Sequence, residues 1–216
     1  MKIAVIGATG FVGNHIVNEL ASRNFQVLGI SRREKESLSS LISYLAVDVN
    51  ELSNLVEAIK GYDVVVNAFN PGWSNPNIYN EFLEGSKNIL TAAKLAKVKR
   101  FISIGGAGSL FVSEGGPQVL DTFPSDSPFY PGAKAAKEFL DYIQQEDTLD
   151  WIFFSPAIEM HQGITTGRTG KYRLGTDYPV VDSHGKNVLS GEDLAVVIVD
   201  EIESPKHHRV RFTAAY

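Results

Sequence analysis

Seven residues near the start carry the best-defined chemistry in the chain: Gly7-Ala8-Thr9-Gly10-Phe11-Val12-Gly13. Glycines at this spacing suit a phosphate grip. Gly7 permits a tight turn, Gly10 lets the backbone approach a pyrophosphate, and Gly13 allows close helix–strand packing. Thr9, Phe11 and Val12, lying between them, are candidate contacts by position, because a helix N-terminus there offers unpaired N–H groups and partial positive charge. The competing account is a purely structural turn in another α/β protein. A second group follows at Ser31-Arg32-Arg33. In dinucleotide folds this position lies beside the adenosine ribose, where an acid holds a free 2′-hydroxyl and an arginine accommodates a 2′-phosphate. No Asp or Glu occupies this tip, and Glu34 comes only after both arginines. Guanidinium forks bind phosphate bidentately, so NADP(H) is favoured and NAD(H) remains possible. Two solvated arginines are the alternative. Asp48 could accept from an adenine amino group, or equally cap a helix over 51–60.

These groups need elements to hold them, and the pattern supplies them. Lys2 to Ile6 reads as a buried strand, and Val12, Ile16, Val17 and Leu20 mark one face of the helix after the glycines. Asn24 is a left-handed helix end, with strands at 25–30 and 45–49. Val64 to Phe69 is apolar enough to be buried on both faces. Ala68 and Phe69 therefore lead into the loop 70–76, which in a doubly wound sheet lies over the cofactor. A helix from 77 to 96 turns Phe82, Ile89, Leu90 and Ala93 inward. A strand at 101–104 ends in Gly105-Gly106, and glycines there ease a bend or leave room for a flat group. The stretch 112–127 reads as a long loop. A helix opens at Phe129-Tyr130-Pro131 and runs to 145, and a strand at 151–154 ends in Ser155-Pro156-Ala157. Short strands are expected at 171–174 and 179–181. A helix over 194–203, capped by Ser190 to Asp193, and a strand at 210–213 close the chain. Strands alternating with helices, with no repeat and no linker, predict an α/β fold: a Rossmann-like doubly wound parallel sheet in a single domain, 1–216, with a small C-terminal substrate lobe over 158–189.

With 216 residues the chain can bury a full core. The net charge of -5 argues against nucleic acid or an anionic membrane as partner. The absence of cysteine excludes disulfides, thiol catalysis and cysteine-ligated zinc. No apolar run approaches the ~20 residues that span a bilayer. Lys2 to Ile6 is too short for a secretory leader, so a cytoplasmic protein is expected. Neither the adjoining His207 and His208 nor any other cluster has metal-ligand spacing. The oligomeric state is left open.

GATGFVG at 7–13, DVVVNAF at 63–69, RFISIGGAGS at 100–109, YPGAK at 130–134, DWIFFSPA at 150–157, GKYRLG at 170–175 and SGEDLA at 190–195 together resemble the short-chain dehydrogenase/reductase superfamily. Among its short atypical members, the chain is similar to the NAD(P)H-flavin reductase-like and NmrA-like groups, relatives of biliverdin reductase B. The resemblance places Gly7, Thr9, Gly10, Phe11, Val12, Gly13, Arg32, Arg33, Asp48, Ala68, Phe69, Gly105, Gly106 and Pro156 at the cofactor. It implies a catalytic serine at the fifth strand's end and a Tyr-x-x-x-Lys pair. Positions i and i+4 share a helix face, so an ammonium beside the phenol favours its ionised form and lets it exchange a proton with a carbonyl oxygen. Tyr130 and Lys134 fit that pair. In the serine's usual place stands Gly105-Gly106, and Ser109 lies a few residues on; Phe129 is the alternative to Tyr130 as the group facing the pocket. Three functions remain open. One is an NAD(P)H-dependent oxidoreductase reducing a small flat acceptor, flavin or quinone, with flavin as substrate and Phe69, Trp73 or Phe111 against its ring. The second is a carbonyl reductase, dehydrogenase or epimerase-like enzyme using Tyr130 and Lys134. The third is a non-catalytic NADP(H)-binding redox sensor.

Overall fold

Ile3, Ala4, Val5 and Ile6 are fully buried, which an all-parallel central strand requires because helices cover both its faces. A computed structural model describes every residue except 38 and 125, the latter within the loop expected over 112–127. The strands are β1 (Lys2–Ile6), β2 (Gln26–Ser31), β3 (Ile42–Ala46), β4 (Val64–Asn67), β5 (Arg100–Ile104), β6 (Asp150–Ser155), β7 (Arg173–Gly175) and β8 (Val210–Ala215). The helices are α1 (Phe11–Ser22), α2 (Leu52–Ile59), α3 (Ile78–Leu95), α4 (Tyr130–Ile143) and α5 (Gly191–Glu203). The sheet order is β3-β2-β1-β4-β5-β6-β8-β7, parallel except for the antiparallel pair β7–β8. Strand order therefore reverses between β1 and β4, and the crevice at their carboxyl ends is the switch point of a doubly wound sheet. No helix among the described residues is long and apolar enough to cross a membrane.

Two apolar layers sandwich the sheet. Ile16, Val17 and Leu20 of α1 meet Leu194, Ile198 and Ile202 of α5 on one face. Leu55 of α2, Phe82 and Ile89 of α3 and Phe139 of α4 fill the other. Asn24 has φ 65°, and the Asn24 and Phe25 amides donate to the Ala21 and Leu20 carbonyls. That is the paired-bond helix end which a left-handed residue makes possible. Arg100 fixes the opposite, amino edge: its buried guanidinium donates to Asp150, Glu201 and the His207 carbonyl at 2.5, 2.8 and 2.9 Å.

The third strand sits three residues earlier than its apolar run suggests. Leu45 is exposed on this edge strand, whereas Val47 and Val49 are buried in the loop that follows. The run 45–49 therefore marks a buried loop as much as a strand. Residues 179–181 form no strand. Val180 instead packs against Gly175, where an added Cβ would lie 2.6 Å from its side chain, and its carbonyl accepts from Asn187 Nδ2 at 2.7 Å. β4 stops at Asn67, so Ala68 and Phe69 lie beyond it. α5 begins three residues before the expected Leu194, because Ser190 is its cap and accepts from the Asp193 amide at 3.0 Å. The 112–127 stretch contains a short 3-10 turn, Val119–Thr122, and β7 places part of the 158–189 segment at the sheet's edge.

Candidate functional site

The glycine turn closes on the ends of β1, β2 and β4 together. The Gly7 and Ala8 amides donate to the Ile30 carbonyl at 2.9 and 3.1 Å, and the Gly10 amide to the Gly7 carbonyl at 3.0 Å. Gly7 has φ +80°, and a Cβ on it would come 2.4 Å from the Ala68 carbonyl oxygen. A Cβ on Gly13 would come 2.1 Å from the Gly7 oxygen. Both positions therefore exclude a side chain on backbone grounds alone. Gly10 differs: its φ of −72° suits any residue, and an added Cβ would meet only the Gly7 oxygen, at 3.2 Å. Gly10 also caps α1 without a side-chain bond, and the first intrahelical bond runs from Asn14 to it. Among the described residues the Phe11, Val12 and Gly13 amides are unclaimed. Three free donors at the positive end of a helix, beside an open glycine, match an anionic phosphate. The side chains between them serve packing: Phe11 lies edge-on to His15 and over Gly191, and Val12 joins the α1–α5 layer. Thr9 is exposed.

Around this turn lie the other expected residues. Arg32 and Arg33 are exposed past the end of β2. Beside them Lys35 donates to Asn14 Oδ1 at 3.2 Å and stands 5.0 Å over the Tyr44 ring. Asp48 is exposed and accepts from the Asn50 amide at 2.9 Å. Glu51, not Asp48, occupies the cap position of α2, so the capping alternative falls. The Ala68 amide donates to the Ile6 carbonyl. Phe69 turns its ring onto α3, where a Cβ on Gly85 would lie 2.5 Å away. Gly105 is filled from behind, since a Cβ there would fall 1.8 Å from the Phe153 ring; only Gly106 leaves space, with Ala136 Cβ at 3.4 Å. The expected glycine floor is thus one residue wide. Pro156 is buried after β6.

Among the described residues no hydrogen bond joins Ser109, Tyr130 and Lys134 to one another. Ser109 is buried, with its hydroxyl 3.4 Å from that of Ser155 and its carbonyl accepting from Gln118 and Arg211. Tyr130 opens α4, and among the described residues its hydroxyl makes no hydrogen bond. Lys134 instead reaches Glu138 at 3.8 Å and lies 5.3 Å over the Tyr79 ring. The same Glu138 accepts from the Tyr79 hydroxyl at 2.6 Å and holds that phenol's pKa above its ordinary value. Phe111 is displaced toward β8, beneath the Arg211 guanidinium. His161 accepts from its own Gly163 amide, while His207 and His208 pair with Glu201 and Asp150. Among the described residues no cluster of His, Cys, Asp and Glu could hold a metal. A hollow of about 200 Å³, lined by Lys2, Gln26, Ser43 and Tyr62, lies at the amino ends of β1 and β2, away from the glycine turn.

A sequence profile described as NAD(P)H-binding matches residues 7–205, from the first glycine of the turn to beyond α5. The chain belongs to this NAD(P)H-binding family. It is 36% identical over 214 residues to the uncharacterized protein YwnB of Bacillus subtilis, covering 99% of this chain and 97% of that one. Among solved structures, a protein of Bacteroides thetaiotaomicron provisionally named an epimerase superposes with TM-score 0.90 at 40% identity, covering 100% of this chain and 96% of that one. SP1627 of Streptococcus pneumoniae, provisionally named an NADH-flavin reductase, superposes with TM-score 0.85 at 32% identity, covering 100% and 99%.

In this NAD(P)H-binding protein residues 168–172 are fastened by groups that sequence reasoning missed. Fully buried Asp193 accepts from the Thr169 amide and hydroxyl, the Gly170 amide and the Tyr216 hydroxyl. Arg168 forks onto Glu19 of α1 at 2.8 and 2.9 Å, and Tyr172 donates to Asp200 of α5 at 2.6 Å. The Arg168 bond is the largest influence holding the Glu19 carboxyl below its ordinary pKa, against the opposing effect of burial. Glu19 sits within an apolar helix face, where a carboxylate needs cations; Arg23, four residues on, supplies one at 2.7 Å and Arg168 the second. That was the available signal.

Proposed function

We propose that this protein is an NADPH-dependent oxidoreductase that reduces a flat acceptor, a flavin or a quinone, bound as a substrate. The observation that carries the reading is the contrast between two halves of the site. The phosphate half is built, with three unclaimed amides at the start of α1 beside Gly10. The proton-relay half has less behind it: the nearest partners of Lys134 are Glu138 at 3.8 Å and the Tyr79 ring at 5.3 Å, and Ser109 is buried against Ser155. When bound, the nicotinamide supplies a hydride. The chain's part is to hold the pyrophosphate on the Phe11, Val12 and Gly13 amides, to set Arg32 and Arg33 at the 2′-phosphate, and to leave the crevice beside Gly106 open. An acceptor that takes its proton from solvent needs no more than this orientation. The name given to SP1627 supports the same acceptor class.

The test is loss of NADPH absorbance with FMN, a quinone, an aldehyde or no acceptor. Turnover with FMN or quinone and none with the aldehyde is expected. Tight NADPH binding without turnover on any acceptor would instead favour a redox sensor. Replacing both Arg32 and Arg33 with alanine should weaken NADP by ~1–3 kcal/mol, the worth of charge-assisted contacts, and leave NAD nearly unchanged. Titration of both nucleotides decides this, and equal losses would return the arginines to solvent.

A further inference from the structure

Trp73 and Phe129 are both more than half exposed, at 53% and 55%, yet neither hangs free. Their rings meet edge to face with centroids 5.6 Å apart. The back of Trp73 lies against the first turn of α4, so close that a Cβ on Gly132 would sit 2.7 Å from the indole. The loop that carries it leaves β4 at Ala68, against Gly7 of the phosphate turn, and crosses to α4 beside Tyr130. Gly132, under the indole, and Ala136, which faces Gly106, lie four residues apart on α4, so the pair stands one helical turn along α4 from the space at Gly106.

We propose that Trp73 and Phe129 form the stacking wall for a planar, uncharged ring system of the acceptor. This deepens the reading above and rests on it only for the wall's place beside the nicotinamide. Three features select the occupant. Fixed aromatic faces attract other π-systems in offset or edge-on contact. The wall is uncharged, since residues 70–77 and 127–133 include no Asp, Glu, Lys or Arg, so what it contacts is a neutral ring and not an acceptor's charged group. Finally, the patch is small, and its neighbours in the chain include the polar residues Asn70, Ser74, Asn75 and Ser127. Two half-exposed aromatics offer roughly 200–250 Å², against about 800 Å² per partner in a stable protein interface.

Riboflavin, which lacks a phosphate, is the probe, added to the nucleotide-free protein. The chain has two tryptophans, and Trp151 is 2% exposed, so quenching reports on Trp73. Saturable quenching is expected in the wild type. In equilibrium dialysis, Trp73→Leu should bind riboflavin about tenfold more weakly, a typical loss for one stacking partner. Phe129→Leu should weaken it severalfold. Gly132→Ala removes no aromatic group but forces the indole aside, and it should weaken binding too. NADPH affinity, measured separately on all three variants, should be unchanged. Riboflavin affinity that survives both Trp73→Leu and Phe129→Leu, or quenching that never saturates, would overturn the proposal. Failure of the wild type to bind NADPH would overturn the cofactor reading and leave the wall's affinity for the ring standing.

Discussion

Gly10→Val is expected to leave a folded protein that has lost its nucleotide. The backbone at Gly10 already has the φ a valine prefers, and its Cβ would press only on the Gly7 oxygen, 3.2 Å away, which the turn can absorb by a shift of a few tenths of an ångström. The two methyls then occupy the open side of the turn, in front of the unclaimed amides. NADPH affinity should fall at least about a hundredfold, or ~3 kcal/mol, while circular dichroism and the melting profile stay close to wild type. Gly13→Ala is the contrast. Its Cβ would be driven to 2.1 Å from the Gly7 oxygen, a backbone collision with no slack, so the fold itself should suffer. Retained NADPH affinity in a folded Gly10→Val protein would remove the basis of the phosphate assignment.

Tyr130→Phe separates the chemistries. Were this phenol the general acid for a carbonyl, losing its hydroxyl would cost about 10²–10⁴-fold in rate with little change in cofactor affinity. With Lys134 nearest to Glu138 and the Tyr79 ring, and with glycines where a serine would complete the relay, turnover on the best flavin or quinone is expected to stay within a few-fold of wild type. Lys134→Met should be equally mild. A thousandfold loss for Tyr130→Phe would promote the carbonyl mechanism over the one proposed.

The turn and the central strands were legible because their signals are local. The glycine spacing, the apolar run before it and the helical period after it all lie within one stretch of chain. The register of β3 was not, because the Leu45-to-Val49 run spans an exposed edge position and a buried loop, and burial depends on what α2 covers. The aromatics show the same divide. Phe69, Trp73 and Phe111 were equal candidates by type, and only packing sends Phe69 onto Gly85, Phe111 under Arg211 and Trp73 to the wall. Phe129 acquires its role from a partner more than fifty positions away. Glu138 was likewise unreadable as the holder of Lys134, since an i,i+4 acid is common on any helix surface and only Tyr79, arriving from α3, fixes its carboxylate.

The riveting of residues 168–172 to α1 and α5 bears on how substrates enter. Asp193, with no exposure at all, and Glu19 and Asp200 tie that segment to two helices that belong to the core. A segment so bonded opens only when the core does. That makes it unsuited to a hinged lid, so any closure over a substrate is left to other segments of the chain.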